Sequence, residues 1–298
     1  MNDFLGYNDV VRKLRYFFQN MKGFIEVPAQ SRLSILAACE DPNTITRFDF
    51  DGIAYPLPQT GQMWLEADLL KNPGIPGVFC ITTSYRNEAN PIPGRHQKIF
   101  PMFEFEAAGG IDELRKIEAE LMNFLGFRAP ITRNYEALCE KYDVKELKAD
   151  HELRMQQEYG NVISLEFFPQ STHPFWNMKQ NETGTYNKID LIICGIETIG
   201  SAERETDAAR MLHNFHHISN GQYAKLLFET FGQARVMEEL ETYLALPMFP
   251  RFGAGIGITR LVRGMQIENL LPSHPELQAS FAAAPHIPLE EMQCVASV

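Results

Sequence analysis

Two extended runs of this chain can only be satisfied by pairing with each other. Residues 77–88 (GVFCITTSYRNE) and 99–110 (IFPMFEFEAAGG) are rich in β-branched and aromatic side chains, which suit a pleated, half-buried surface. Between them lie Pro91, Pro93 and Gly94, an excursion too long for a tight turn. The spacing therefore predicts an antiparallel pair joined by a mobile loop.

Further strands are predicted at NVISLEFFP, KIDLIICGIETIG and FPRFGAGIG, and a short one at FIEVP, closed by Pro28. Residues 8–22 put Val10, Val11, Leu14, Phe17 and Phe18 on one helical stripe, with Gly23 as the stop. GIAYPLPQTGQMWLEADLL reads as a strand entering a helix, with Gln59 and Gln62 at the junction. Other helices are expected at 111–127, at 135–147, over the whole of 222–244, and after the glycine strand. With no repeat, low-complexity tract or linker, this order predicts one α+β domain over 1–298, an antiparallel sheet with helices outside it.

Composition narrows the function classes. A chain of 298 residues, 45% hydrophobic, can bury a full core. Its net charge of −11 disfavours extended contact with a nucleic-acid backbone, although a local basic patch remains compatible with it. Cys39, Cys80, Cys139, Cys194 and Cys294 are scattered without a Cys-x-x-Cys pair, which argues for reduced thiols over disulfides or structural zinc. No apolar run reaches the ~18 residues of a membrane span and no signal segment opens the chain, so a soluble, cytoplasmic protein is expected, without membrane contact.

Three constellations carry candidate chemistry, and each also has a structural reading. Gly253, Gly255 and Gly257 precede Arg260, so a ligand could lie on bare backbone with an arginine reaching its phosphate. Strand glycines also mark close packing. Asp190 and Glu197, followed by Arg204, could supply carboxylates to Mg²⁺, or could be solvated strand ends with a surface ion pair. Arg86, Glu88 and Phe100 could fork a phosphate, accept from an adenine amino group and stack on a base. Otherwise they form an exposed ion pair beside core phenylalanines, the reading preferred for Phe103 and Phe105.

In this order the pieces resemble the class II aminoacyl-tRNA synthetase catalytic domain. FIEVP looks like its first motif, SYRNE…RHQKIF its second and GAGIGITRLV its third, so the match covers nearly the whole chain. LPQTGQMWLE and GIETIGSAERE are most similar to the asparaginyl and aspartyl group, particularly the asparaginyl enzymes. The resemblance implies ATP and Mg²⁺. Arg86 then clasps the α-phosphate, Glu88 meets the adenine edge, Phe100 stacks on the ring, and His96, with Arg95 beside it, and Arg260 hold distal phosphates next to Gly257. Asp190 and Glu197 bind magnesium, while Glu40, Gln62 and Glu104 read the α-amino group. Arg204 reads the side-chain oxygen, where lysyl relatives carry an acid.

Aspartyl enzymes and the related asparagine synthetases have a lysine where this chain has Leu65. Glu66, one position later, could accept from an asparagine amide and repel an aspartate carboxylate, or could face solvent on its helix. Two positions depart from the family pattern: Ile99 and Thr259 replace its usual glutamates. The chain also begins at the first motif, so the family's anticodon-reading β-barrel of about 100 residues is expected to be absent and tRNA contact to be weak or confined to the acceptor end. The implied reaction is amino-acid adenylation with loss of pyrophosphate, asparagine first and aspartate second. The acceptor could be tRNA, a small amine or a protein; an AMP-forming aspartate–ammonia ligase and a non-catalytic nucleotide-binding paralogue are the alternatives. A homodimer is also implied. Val11, Leu14 and Phe18 could form its patch or serve the core.

Overall fold

The computed structural model describes residues 3–29, 33–38 and 42–273. Glu40, Cys39 and Cys294 lie outside the described residues.

The expected hairpin forms the backbone of the fold: β4 (Gly77–Tyr85) and β5 (Ile99–Ala108) pair antiparallel from Gly77↔Ala107 to Tyr85↔Ile99. Around it run β1 (Ile25–Glu26), β6 (Ile131–Asn134), β7 (Val162–Phe168), β8 (Tyr186–Ile193), β9 (Ile196–Glu203) and β10 (Arg251–Gly257). The sheet has eight strands in the order β1-β4-β5-β10-β9-β8-β7-β6, antiparallel within and parallel at its two edge pairs. A separate hairpin, β2 (Arg47–Phe50) with β3 (Ile53–Pro56), turns at Asp51 and Gly52, both at positive φ. That Asp-Gly pair between apolar residues is a hairpin signal that the strand reading of residues 52–56 had not used.

Strand alternation separates core from site. Phe103, Phe105 and Ala107 of β5 point to one face, where they join Phe252, Ala254 and Ile256 of β10 and Ile189 and Leu191 of β8 in the main core. Helices α1 (Phe4–Arg15), α3 (Ile111–Leu125) and α9 (Ile258–Ile267) cover that face. On the other face α2 (Gln62–Lys71) packs on β4 and β5. Helices α4 (Tyr135–Tyr142) and α5 (Ala149–Tyr159) pack over β7, while α6 (Ala208–His217), α7 (Gln222–Phe231) and α8 (Gln233–Leu244) gather round Trp176. The middle of that face stays open.

Several expectations are corrected. Residues 222–244 are two helices, because Gly232 takes φ 88° and ψ 128° and leaves the helical basin. The helix expected at 135–147 stops at Tyr142, where Asp143 adopts a left-handed conformation. The first helix continues as a π-helical turn over Tyr16–Met21, and only Ile25 and Glu26 of FIEVP pair as a strand. Val11, Leu14 and Phe18 are buried in the chain's own core, so they are not free to form an intersubunit patch. Among the described residues Cys80, Cys139 and Cys194 form no disulfide, and no helix is long and apolar enough to cross a membrane.

Candidate active site

The open face is built on one ladder row. Glu104 of β5 lies opposite Gly255 of β10, Gly255 opposite Gly200 of β9, and Gly200 opposite Asp190 of β8. Two carboxylates thus flank a floor with no side chains, about 14 Å from end to end at the usual strand spacing. Above it is a cavity of about 630 Å³. It is lined by Arg86, Glu88, Arg95, His96, Phe100, Gly257 and Arg260 on the loop side, by Asp190 and Glu197, and by Gln62, Glu104 and Arg204.

The loop side comes from the hairpin's extension. Arg86 N–H donates to Lys98 O at 2.7 Å, which carries the pairing past the end of β4. The Arg86 guanidinium lies 5.8 Å from the Phe100 ring centroid, and His96 Nδ1 is 2.6 Å from Glu88 Oε2. From the start of α9, Arg260 donates to Glu197 O at 2.7 Å. Ile99 is 61% exposed and outside the cavity, whereas Thr259 lines it.

Asp190 and Glu197 converge across Gly200: a methyl group built there would lie 3.3 Å from Glu197 Oε1 and 3.6 Å from Asp190 Oδ1. Asp190 is buried within its strand, which overturns the reading of it as a solvated strand end. Its Oδ2 accepts from Lys188 Nζ at 2.6 Å, and its Oδ1 is buried with no hydrogen-bond partner among the described residues. Burial pushes this carboxyl up to about 7, against the pull of Lys188 and with the push of Glu197. Glu197 goes the other way: burial raises it, but Lys188, Arg260, Arg86 and Arg95 together hold it below its ordinary value. An orphaned carboxylate oxygen facing an ionised carboxylate suits Mg²⁺, which takes one or two protein carboxylates plus substrate oxygens. Asp190 and Glu197 therefore fit the metal.

At the other end Glu104 accepts from Gly61 N–H at 2.8 Å, from Thr82 Oγ1 at 2.6 Å and from Thr60 Oγ1. Arg204 is 3% exposed, so it is no surface arginine; its Nε and NH2 meet Glu106 at 3.2 and 2.5 Å. Burial raises the Glu106 carboxyl to about 8, with Arg204 pulling it down and Glu66 adding to the rise.

Glu66 does not line the cavity, nor does it face solvent. Its Oε1 accepts from Gln62 Nε2 at 2.8 Å and Asn177 Nδ2 at 2.7 Å, and its Oε2 from Tyr243 OH at 2.6 Å and Arg251 Nε at 2.9 Å. Burial raises its carboxyl, but Arg251 and then Arg204 hold it below its ordinary value. With both oxygens occupied it anchors Gln62 from behind. A direct contact with a substrate amide therefore has no open acceptor here.

The glycine strand serves both of its readings. A methyl group at Gly253 would come within 2.0 Å of Glu106 Oε1 and 2.4 Å of Phe105 O, so packing demands this glycine, whereas one at Gly255 would first meet the flexible end of Met102, at 2.7 Å. Gly255 and Gly257 also line the cavity. Sequence reasoning missed Lys188, Glu106, Arg251 and Glu152. For Glu106 there was a signal, since it follows Glu104 by two residues on the face opposite Phe103 and Phe105.

A family model of tRNA synthetases class II (D, K and N) matches residues 4–269. Among solved structures, the asparaginyl-tRNA synthetase from Pyrococcus horikoshii complexed with asparaginyl-adenylate has a TM-score of 0.72 at 20% identity, over 88% of this chain and 64% of that one. The asparaginyl-tRNA synthetase of Entamoeba histolytica, also in complex with asparaginyl-adenylate, gives 0.66 at 16% identity, over 89% and 64%. A putative aspartyl-tRNA synthetase from Leishmania major Friedlin gives 0.67 at 16% identity, over 88% and 61%. The chain thus spans just under two thirds of the length of these relatives. No curated protein sequence matches it. The eight-stranded, mainly antiparallel sheet with its three ordered motifs, and a family match over residues 4–269, establish that this chain belongs to the class II tRNA synthetases of the D, K and N group.

Proposed function

We propose that the chain activates an amino acid with ATP, asparagine in preference to aspartate, forming an aminoacyl-adenylate and pyrophosphate. The observation that carries this reading is the row Glu104–Gly255–Gly200–Asp190, a bare floor with an anion at each end, under a wall of arginines. Glu104 and Gln62 hold the substrate ammonium at one end. Arg86 and Arg260 hold the phosphates, with the adenine between Phe100 and the Glu88 carboxylate. One α-carboxylate oxygen attacks the α-phosphorus as the bond to the bridging oxygen of pyrophosphate breaks, and Arg86 offsets the charge that builds on the non-bridging oxygens. When bound at Asp190 and Glu197, Mg²⁺ supplies further charge stabilisation. No enzyme nucleophile takes part.

Arg204 supports asparagine. Its guanidinium already meets Glu106 and lies 3.7 Å from Glu66, itself held by Arg251, so an amide oxygen can accept from it without bringing charge into this buried cluster, whereas the carboxylate of aspartate would add an anion beside Glu66. Two of the related structures hold asparaginyl-adenylate, which agrees with this preference.

The test is amino-acid-dependent pyrophosphate exchange across the twenty amino acids. Exchange with asparagine above aspartate is expected, and Arg86→Ala should lose ~100-fold or more while melting like the parent. Exchange with aspartate alone would favour an aspartate–ammonia ligase, and full exchange in Arg86→Ala would remove the proposed phosphate clasp. Which acceptor takes the adenylate is then read by offering tRNA, ammonia and small amines to the loaded protein.

A further inference from the structure

Glu152, in the first turn of α5, closes a circuit of four residues from four separate parts of the fold. Its Oε1 accepts from Arg95 NH2 at 2.5 Å and its Oε2 from Glu197 N–H at 2.7 Å. Arg260 holds the same two residues through their backbone carbonyls: NH1 donates to Glu197 O at 2.7 Å and NH2 to Arg95 O at 3.5 Å. The ring therefore ties the loop after β4, the metal-facing end of β9, the start of α9 and α5 to one another. Both side chains of the Glu152–Arg95 pair are only 14% exposed, so this is not a surface ion pair that water screens away.

We infer that Glu152 is a positioning residue for the triphosphate end of the site, coupling closure of the 86–98 loop to the placement of Glu197. The inference rests on the proposed ATP reading of the cavity. Its physical basis is that Glu152 is bonded to the backbone of one functional residue and to the side chain of another and does not line the main cavity itself. Removing its carboxylate frees Arg95 to swing and leaves the Glu197 N–H without its acceptor, so the carboxylate of Glu197 loses its fixed orientation towards Asp190. The adenine end, built on Glu88 and Phe100, has no bond to Glu152 in this circuit. The consequence is selective: contacts to the distal phosphates and their metal weaken while contacts to the base and the amino acid persist.

Binding of ATP and of adenosine is measured by calorimetry, with and without Mg²⁺, for the parent chain, Glu152→Gln and Glu152→Ala. Glu152→Ala should weaken ATP about 10-fold or more in the presence of Mg²⁺, the usual scale for losing a residue that orients a metal ligand. Adenosine should change by less than about 2-fold, and the gain in ATP affinity on adding Mg²⁺ should shrink. Glu152→Gln keeps one acceptor oxygen and should fall between, so it carries the test if the alanine variant fails to fold. Unchanged ATP affinity in both variants, or equal loss of ATP and adenosine, overturns the positioning role. A parent chain that binds no ATP overturns the functional reading and this inference with it, so the two failures are distinguishable.

Discussion

Glu118 shows how much a single buried carboxyl can ask of its surroundings. It is 2% exposed on the sheet-facing side of α3, and its Oε1 has no hydrogen-bond partner among the described residues. Burial pushes it up to about 8; Ser201 and Arg115 oppose the rise, and Glu166 and Asp190 add to it. In the unfolded chain a glutamate titrates near ~4.3, so between about 4.3 and 8 the folded state binds one proton more. Stability from this group is complete at acid pH and is lost as pH rises through that window. Thermal melts from about pH 5 to 8 should therefore decline less steeply for Glu118→Gln than for the parent, and parallel curves would count against a buried neutral carboxyl. The burial of Glu118 was legible in the sequence, since it falls among Leu114, Ile117, Leu121 and Met122 on the apolar stripe of its helix. Its partners were not, because Ser201 and Glu166 come from distant strands.

At the scale of elements, β10 joins packing to binding. A side chain at Gly253 would strike Glu106 Oε1 at 2.0 Å and Phe105 O at 2.4 Å, whereas at Gly257 the nearest atoms lie at 3.6 Å. Gly253→Ala should thus cost roughly 1–3 kcal/mol and loosen the Glu106–Arg204 pair, and Gly257→Ala should stay within about 1 kcal/mol. Denaturant titration of both variants checks this; equal losses would refute the packing account. Elements with a strong period were readable in advance, as with the β4–β5 hairpin and α3. Boundaries set by one residue's backbone were not: Gly232 divides α7 from α8 inside a continuous apolar pattern, and the Asp51–Gly52 turn gives the strand over 53–56 an antiparallel partner, β2. A period registers side-chain placement and is blind to a single residue leaving the helical basin.

For the whole molecule, the net charge of −11 coexists with a cavity wall bearing Arg86, Arg95, Lys188, Arg260 and Arg263. An anionic substrate is drawn to that wall while the rest of the surface repels extended polyanions. The homodimer implied by the family resemblance remains a proposal; with Val11, Leu14 and Phe18 buried, we propose that its surface uses the exposed Tyr16 and Met21 of the π-helical turn and Ile25 of β1. Light scattering should give twice 34.0 kDa, reduced to one chain by Tyr16→Asp with Met21→Asp; a monomeric parent refutes it. The sequence by itself determined the β4–β5 pair, the helices α1, α2, α3 and α9 and three ordered motifs, because alternation, apolar stripes and glycine placement are local properties. Only the tertiary structure decided which polar groups share a site. The row from Glu104 to Asp190 depends on the register of four strands, and Glu66 is turned from the cavity by Tyr243 and Arg251, which lie 177 and 185 residues further along. A buried carboxylate goes where its donors are, and only the folded chain brings those donors together.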